Sequence, residues 1–279
     1  MRLFNKVAII GTGLVGGSLG LELRRRRLAG FVVGVCRHSS SLLKAKKMGA
    51  IDAGTLDIKE AVKDADLVVL ATPVSEFLAL ARSIAPVLKK EAIITDVGST
   101  KESTVSSLEK IFGRRNHFVG AHPLAGSEKK GVAEARGGLF YNAVCVITRT
   151  KNTDAYALKK ILCLWKKLGS RTAVMEPVRH DRILAAVSHL PHIVANALIL
   201  SIDSKCLPFG AGGLRDTTRI ASSDPWIWRD IFLTNRKEIL LAVDKFRTQL
   251  NNLSRVIKSG DGKLLFSLLD KAKNKRDLL

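Results

Sequence analysis

Cysteine, aromatic side chains and acid are all scarce in this sequence. Its 279 residues include four cysteines, Cys36, Cys145, Cys163 and Cys206. No two form a CxxC pair and none stands beside a histidine at zinc spacing, so no metal site and no disulfide framework are expected. A reducing, cytoplasmic compartment is the corresponding expectation. Aromatics make up only 5% of the chain, and no aromatic pair flanked by basic residues offers a stacking platform for RNA bases. Acidic residues number 25 against 46 Lys+Arg, a formal net charge of +21. That excess raises nucleic acid or an anionic membrane as a partner. Its distribution argues against both. Residues 1–176 carry 29 basic and 15 acidic groups and residues 177–279 carry 17 and 10, so there is no basic arm or tail. The one dense run, Arg24–Arg27, ends a predicted helix, where cations complement the helix dipole, and is read as a solvated face.

Long apolar runs are missing as well. Val7–Leu21 imitates a signal-peptide core, but glycines punctuate it, and Glu22 and four arginines follow instead of a cleavage site. No other segment reaches the ~20 apolar residues of a membrane span.

What remains is a globular composition, 46% hydrophobic and 25% charged, long enough for one large domain or two ordinary ones. Lys6–Ile10 has the pattern of a buried parallel strand. Further strands are predicted at 31–35, 67–70, 92–96, 118–121, 144–147 and 171–175. Helices fall between them: one to about Arg25, one at 39–48 with a serine cap, one at 74–88 broken late by Pro86, then 103–112 and 154–168. This alternation predicts a mostly parallel, doubly wound α/β sheet over residues 1–176. After Pro177 the strand signals stop. Helices at 181–202, 225–257 and 263–273, with a polar Gly-rich loop at 207–223, make residues 177–279 an all-helical second domain.

Gly11-Thr12-Gly13-Leu14-Val15-Gly16 follows the first strand and opens a helix, the context in which GxGxxG signals a dinucleotide. Gly11 permits the turn, Gly13 lets the backbone approach a pyrophosphate, and Gly16 allows close helix–strand packing. The helix N-terminus offers unpaired N–H groups to the phosphates. Leu14 and Val15, with Thr72 and Pro73 after the strand at 67–70, belong to the same cofactor set. The second strand ends in Cys36-Arg37-His38-Ser39, without the carboxylate usual for NAD. Arg37 and Ser39 suit a 2′-phosphate, which favours NADP over NAD.

Three further motifs exceed packing. Asp96-Val97-Gly98-Ser99-Thr100-Lys101 and His122-Pro123-Leu124-Ala125-Gly126-Ser127-Glu128 each follow a predicted strand, where open α/β sheets bind ligands. In the helical half stand Ser188-His189-Leu190-Pro191-His192, Gly212 to Ala221, and Ser223 to Asp230.

Through these motifs, from the glycine fingerprint to about Arg229, the sequence resembles the prephenate/arogenate dehydrogenase family of tyrosine biosynthesis. The resemblance implies a Rossmann domain and an all-helical domain through which the family forms homodimers. It implies oxidation of prephenate or arogenate by NAD(P)⁺, with loss of CO₂, to 4-hydroxyphenylpyruvate or tyrosine. His122 is then the base that takes the ring-hydroxyl proton, since a neutral imidazole is suited to accept it. Ser99 holds that proton path in line, and His192 is the second active-site histidine. Arg219 is the carboxylate-binding arginine, Ser127 a substrate hydrogen-bond donor, and Arg215 a further candidate for substrate. Trp228 matches a residue that reaches the site from the neighbouring subunit. His189 reads as structural, and His38, His117 and His180 as surface or packing residues. Glu128 either gates the pocket or is simply solvated. A chain that starts at the fingerprint strand and ends about 50 residues after Trp228 leaves no room for a fused mutase or regulatory domain, so a monofunctional enzyme is expected. Two other readings compete. Another two-domain β-hydroxyacid-type NAD(P) dehydrogenase would use a lysine of the helical domain as its acid/base. A basic Rossmann-like nucleic-acid-binding protein would need the charge clustering and aromatic platforms that are missing.

Overall fold

The computed structural model describes residues 2–113, 115–126 and 131–279. Strand β1 (Phe4–Ile10) lies between β2 (Ala29–Val35) and β4 (Leu67–Leu70), parallel to both. β3 (Ala53–Thr55) forms one edge, and β5 (Ile93–Asp96) and β6 (His117–Val119) extend the other. The order is 3-2-1-4-5-6 with every pairing parallel. Val7–Ile10 and Leu67–Leu70 are buried on both faces, which is why they read as continuous apolar runs without alternation. Helices α1 (Leu14–Arg25), α2 (Ser39–Lys47) and α6 (Ala155–Lys167) cover one face; α3 (Ile58–Val62), α4 (Phe77–Ile84) and α5 (Glu102–Phe112) cover the other. The connections reverse direction between β1 and β4, leaving a crevice at their C-terminal ends.

Several local expectations are corrected. Ala53–Thr55 is a strand too short and too poor in β-branched residues to announce itself, and Asp57 caps the unpredicted α3 by accepting from the Lys59 and Glu60 N–H groups. No serine side chain caps α2; His38 is its N-cap residue and Ser39 already lies inside the first turn. The helix at 74–88 is α4 flanked by 3-10 turns at Val74–Glu76 and Ala85–Val87. The arginine run is only partly solvated. Arg24 pairs with Asp52 at 2.8 Å, and Arg25 and Arg26 both reach Glu22, a fully buried carboxylate that also accepts from the Gly138 N–H at 2.9 Å.

The predicted strand at 118–121 is two strands in different sheets. β6 ends at Val119, and β7 (Ala121–Pro123) pairs antiparallel with β8 (Val144–Thr148), itself parallel to β9 (Arg171–Met175). Gly120 makes the crossing: a Cβ there would lie 2.5 Å from Thr148 Oγ1. His122 therefore sits within a short strand, and not in a loop after one.

β9 ends at Met175 and helix begins at Pro177. α7 (Pro177–Leu184), a π turn (Ala185–His189) and α8 (Leu190–Leu200) form one continuous helix of 24 residues. The π turn ends two residues before Pro191, which has no N–H to give to the helix ladder. Contrary to the sequence expectation, this helix is long and apolar enough to cross a membrane by length and composition. Four of its polar members, His180, Asp181, His189 and His192, are buried within the protein, whereas Arg179 and Arg182 are exposed. Residues 207–223 are not a loop: they hold the end of a 3-10 segment (Ser204–Phe209), α9 (Gly212–Thr218) and a 3-10 turn (Arg219–Ser222). Asn235 divides the next helix into α10 (Pro225–Thr234) and α11 (Arg236–Ser259), followed by α12 (Gly262–Arg276).

Candidate active site

The glycine loop obeys steric demands that can be read atom by atom. Gly11 has φ +100°, and a Cβ there would meet the Ala71 carbonyl oxygen at 2.5 Å. A Cβ on Gly16 would lie 2.0 Å from the Gly11 carbonyl oxygen. Gly13 faces open space and is the N-cap of α1, whose first turn has neither a capping side chain nor an acid. The uncapped N–H groups and the positive end of the helix dipole are thus left for an anion. A cleft of about 360 Å³ lies here, lined by Gly13, Leu14, Val15, Thr72 and Pro73 among others. The Thr72 hydroxyl is buried in its wall without a hydrogen-bond partner, a polar group held for a ligand. Glycine cradle, helix terminus and orphaned hydroxyl together fit a dinucleotide pyrophosphate. Arg37 is placed at the end of β2 as expected, but its guanidinium is ion-paired with Glu76, and Ser39 stands exposed in the first turn of α2.

A second cleft of about 600 Å³ adjoins the first. Ser99, Ala125, Gly126, Ile227 and Ile231 line both, so the two open into each other. His122, His189, His192, Arg219 and Trp228 line the second. Three elements therefore converge on it: the β5 end with Ser99, the β7 ribbon with His122, and the helical half.

The ring of His122 is oriented by a chain of hydrogen bonds that the sequence did not reveal. Asp181 accepts from the Lys101 and Glu102 N–H groups, both at 2.8 Å, which fixes its carboxylate at the start of α5. The same carboxylate lies 2.7 Å from His180 Nδ1. A carboxylate so placed is an acceptor, so His180 Nδ1 carries the proton and Nε2 the lone pair. His122 Nδ1 is 2.8 Å from that Nε2 and must donate to it. The lone pair of His122 therefore resides on Nε2. Burial holds the His122 pKa well below the usual histidine value, reinforced by the charge of Lys101 and by His180 and His189. His180 is lowered too, by burial, against the raising effect of Asp181. Both rings are neutral at neutral pH. His180, read from sequence as a surface or packing residue, is buried and orients the His122 ring.

Beneath this chain lies a fully buried ion pair, Lys101 Nζ to Asp96 Oδ2 at 2.6 Å. Lys101 also donates to the Gly98 carbonyl, while Asp96 accepts from the Gly98 and Ala121 N–H groups. The pair pins the β5 end to the strand that bears His122. Removing one partner of such a pair costs about 3–5 kcal/mol.

His192 Nδ1 accepts from Asn196 Nδ2 at 3.1 Å, so its proton is on Nε2. That Nε2 is buried with no partner, a donor aimed at nothing within the protein. Burial lowers the His192 pKa to about 4. His189 accepts from Asn235 at 3.1 Å and is lowered by burial to about 4, in keeping with a structural histidine. The Trp228 indole stacks on His192 of the same chain, ring centroids 3.4 Å apart, and lines this cleft. Arg219 reaches the cleft, whereas Arg215 is exposed on α9 and is not among the described residues lining it. Ser127 and Glu128 lie outside the described residues. Among the described lining residues there is no lysine, and the lysine near His122 comes from the sheet half with its ammonium group held in the Asp96 pair.

Comparison with known proteins places the chain in a family. Residues 19–174 match the family described as "Prephenate dehydrogenase, nucleotide-binding domain", and residues 176–271 match "Prephenate dehydrogenase, dimerization domain". The chain is 36% identical to prephenate dehydrogenase of Bacillus subtilis over 97% of its own length and 75% of the relative's. It is 36% identical to cyclohexadienyl dehydrogenase of Zymomonas mobilis over 95% and 92%. A crystal structure of Aquifex aeolicus prephenate dehydrogenase with hydroxyphenyl propionate and NAD⁺ superposes with a TM-score of 0.92 at 37% identity, covering 98% of this chain and 97% of that one.

Proposed function

Since the chain belongs to the prephenate dehydrogenase family, we propose that it oxidatively decarboxylates prephenate, or its amino counterpart arogenate, in tyrosine biosynthesis, using NAD(P)⁺ in the cytoplasm. The observation that carries this reading is the lone pair on His122 Nε2, fixed by His180 and Asp181 in a cleft that opens into the dinucleotide cleft.

Gly11, Gly13 and Gly16, with Leu14, Val15, Thr72 and Pro73, hold the dinucleotide, which supplies the hydride acceptor when bound. Arg37 and Ser39 favour the 2′-phosphorylated form. His122 Nε2 accepts the ring-hydroxyl proton as the carbinol carbon gives up its hydride, forming the C=O bond. The C–CO₂⁻ bond then breaks, its electron pair enters the ring, and CO₂ leaves an aromatic product. Burial holds His122 neutral at physiological pH, so its Nε2 lone pair is unprotonated when substrate arrives. Ser99 keeps the hydroxyl in line between the two clefts. His192 donates from Nε2 to the substrate, Trp228 walls the ring site, and Arg219 offers a bidentate fork to a carboxylate. Ser127 is a further donor to the substrate, while Arg215, exposed on α9 and away from the cleft lining, is left out of the set. The β-hydroxyacid-type alternative is not favoured, because no helical-domain lysine lines the cleft among the described residues.

The functional unit is a homodimer joined through residues 177–279. The match to a dimerization domain supports it, as do exposed apolar side chains on the helical half, Leu233, Phe266 and Leu269 among them. The test is to follow reduced-nicotinamide absorbance with prephenate and with arogenate, each with NAD⁺ and NADP⁺. Turnover of at least one pair is expected. A folded protein that turns over none of the four would overturn the reading.

A further inference from the structure

The end of β2 lacks a carboxylate in sequence, yet the fold brings one there. Strands β2, β1 and β4 are neighbours in that order. Arg37 follows β2 and Glu76 follows β4, and their side chains meet across the C-terminal end of β1, over the glycine loop. In a doubly wound sheet that binds dinucleotides, the adenosine ribose lies at this strand end, and its 2′ substituent faces the residues after β2. The two partners are unequally fixed. Glu76 ends the 3-10 turn Val74–Glu76, which is held by buried Phe77 on one side and by the Ser75–Asp230 hydrogen bond to α10 on the other. Its side chain is only 26% exposed, against 78% for Arg37. The carboxylate is the anchored member and the guanidinium the free-swinging one.

From this we infer that Glu76 is a specificity-determining residue that weighs against a 2′-phosphate. This rests on reading the glycine-loop cleft as a dinucleotide site, and it adds a term which the residues after β2 do not contain. A 2′-phosphate can recruit Arg37 only by drawing it from Glu76, and it must then sit near the Glu76 charge. A 2′-hydroxyl demands neither, and can donate to that carboxylate. Arg37 thus favours the phosphorylated cofactor less than its position alone implies, because its charge is already answered.

The test is isothermal titration calorimetry of the full-length protein with NAD⁺ and NADP⁺, and with 5′-AMP and adenosine 2′,5′-bisphosphate as the corresponding fragments. Wild type, Glu76→Gln, Arg37→Ala and the double variant are compared at one ionic strength. An exposed ion pair and one like-charge contact are each worth up to about fivefold, so Glu76→Gln should raise the NADP⁺/NAD⁺ affinity ratio by more than about twofold and up to about twenty-five-fold. The fragments should follow the same ratio. In the Arg37→Ala background the gain should shrink to about fivefold or less, the part due to repulsion alone. A ratio unchanged within about twofold, or moved toward NAD⁺, overturns the inference while the dinucleotide reading stands. A wild-type protein that binds neither dinucleotide overturns both.

Discussion

The two halves of this chain bury their apolar surface very differently. The sheet half encloses two continuous clusters of large side chains, with Trp165, Phe77 and Phe140 almost wholly removed from water. The helical half gathers one small cluster around Ala185, Ile239 and Ala242, and leaves Leu200, Phe209, Leu233 and Phe266 more than half exposed. The lesson is one of self-sufficiency. The first half supplies its own core, while the second borrows surface from the sheet half and, in the proposed dimer, from a second copy. The chemistry is divided along the same line, with the base on a strand and its orienting groups on a helix.

The largest effect should come where the halves meet. His122→Asn removes the proton acceptor and should lower kcat by on the order of 10²–10⁴-fold, with NAD(P)⁺ affinity kept. A variant with turnover within tenfold of wild type would place the base elsewhere. Within the sheet half, Trp165→Ala opens a cavity in a closed core and should cost about 3–5 kcal/mol in denaturant unfolding. A loss under about 1 kcal/mol would mean that this half, too, depends on outside surface.

Acid should separate the halves next. Burial pushes His189 and His192 from 6.5 down to about 4. Between those pH values the unfolded chain binds protons that the folded helix refuses, so stability falls as pH falls through that window. Each histidine contributes up to about 1.4 kcal/mol per pH unit there. Thermal melts between pH 7 and 4 should show the helical half giving way first; a melting temperature that rises with acid contradicts the neutral-ring assignment. The smallest effect on monomer stability is expected from Phe266→Ala, within about 0.5 kcal/mol, because that ring is exposed. It should nonetheless weaken self-association in sedimentation, and an unchanged dimer would put the interface on another face.

The parallel sheet was legible because doubly buried strands must be apolar without interruption, and Val7–Ile10 and Leu67–Leu70 are. The glycine loop was legible because its demands are local. The break at Gly120 was not, since Phe118 to Ala121 reads as one apolar stretch and only the approach of Thr148 divides it. Nor was His180, whose partner His122 lies 58 residues earlier on another element. Its one local sign was the His180-Asp181 dipeptide just inside a Pro-started helix. Glu76 hid for the same reason, 39 residues from Arg37 with no shared motif.

The hydrogen bond between His122 and His180 also sets how this chain tolerates recombination. A crossover near residue 176 leaves the two core clusters of the sheet half intact but separates the base from its orienting pair. Chimeras joining this nucleotide-binding half to a relative's helical half should therefore keep function only where the incoming helix presents the same His-Asp pair one turn from its start. The seam that looks safest for exchanging modules is the one across which the proton acceptor is assembled.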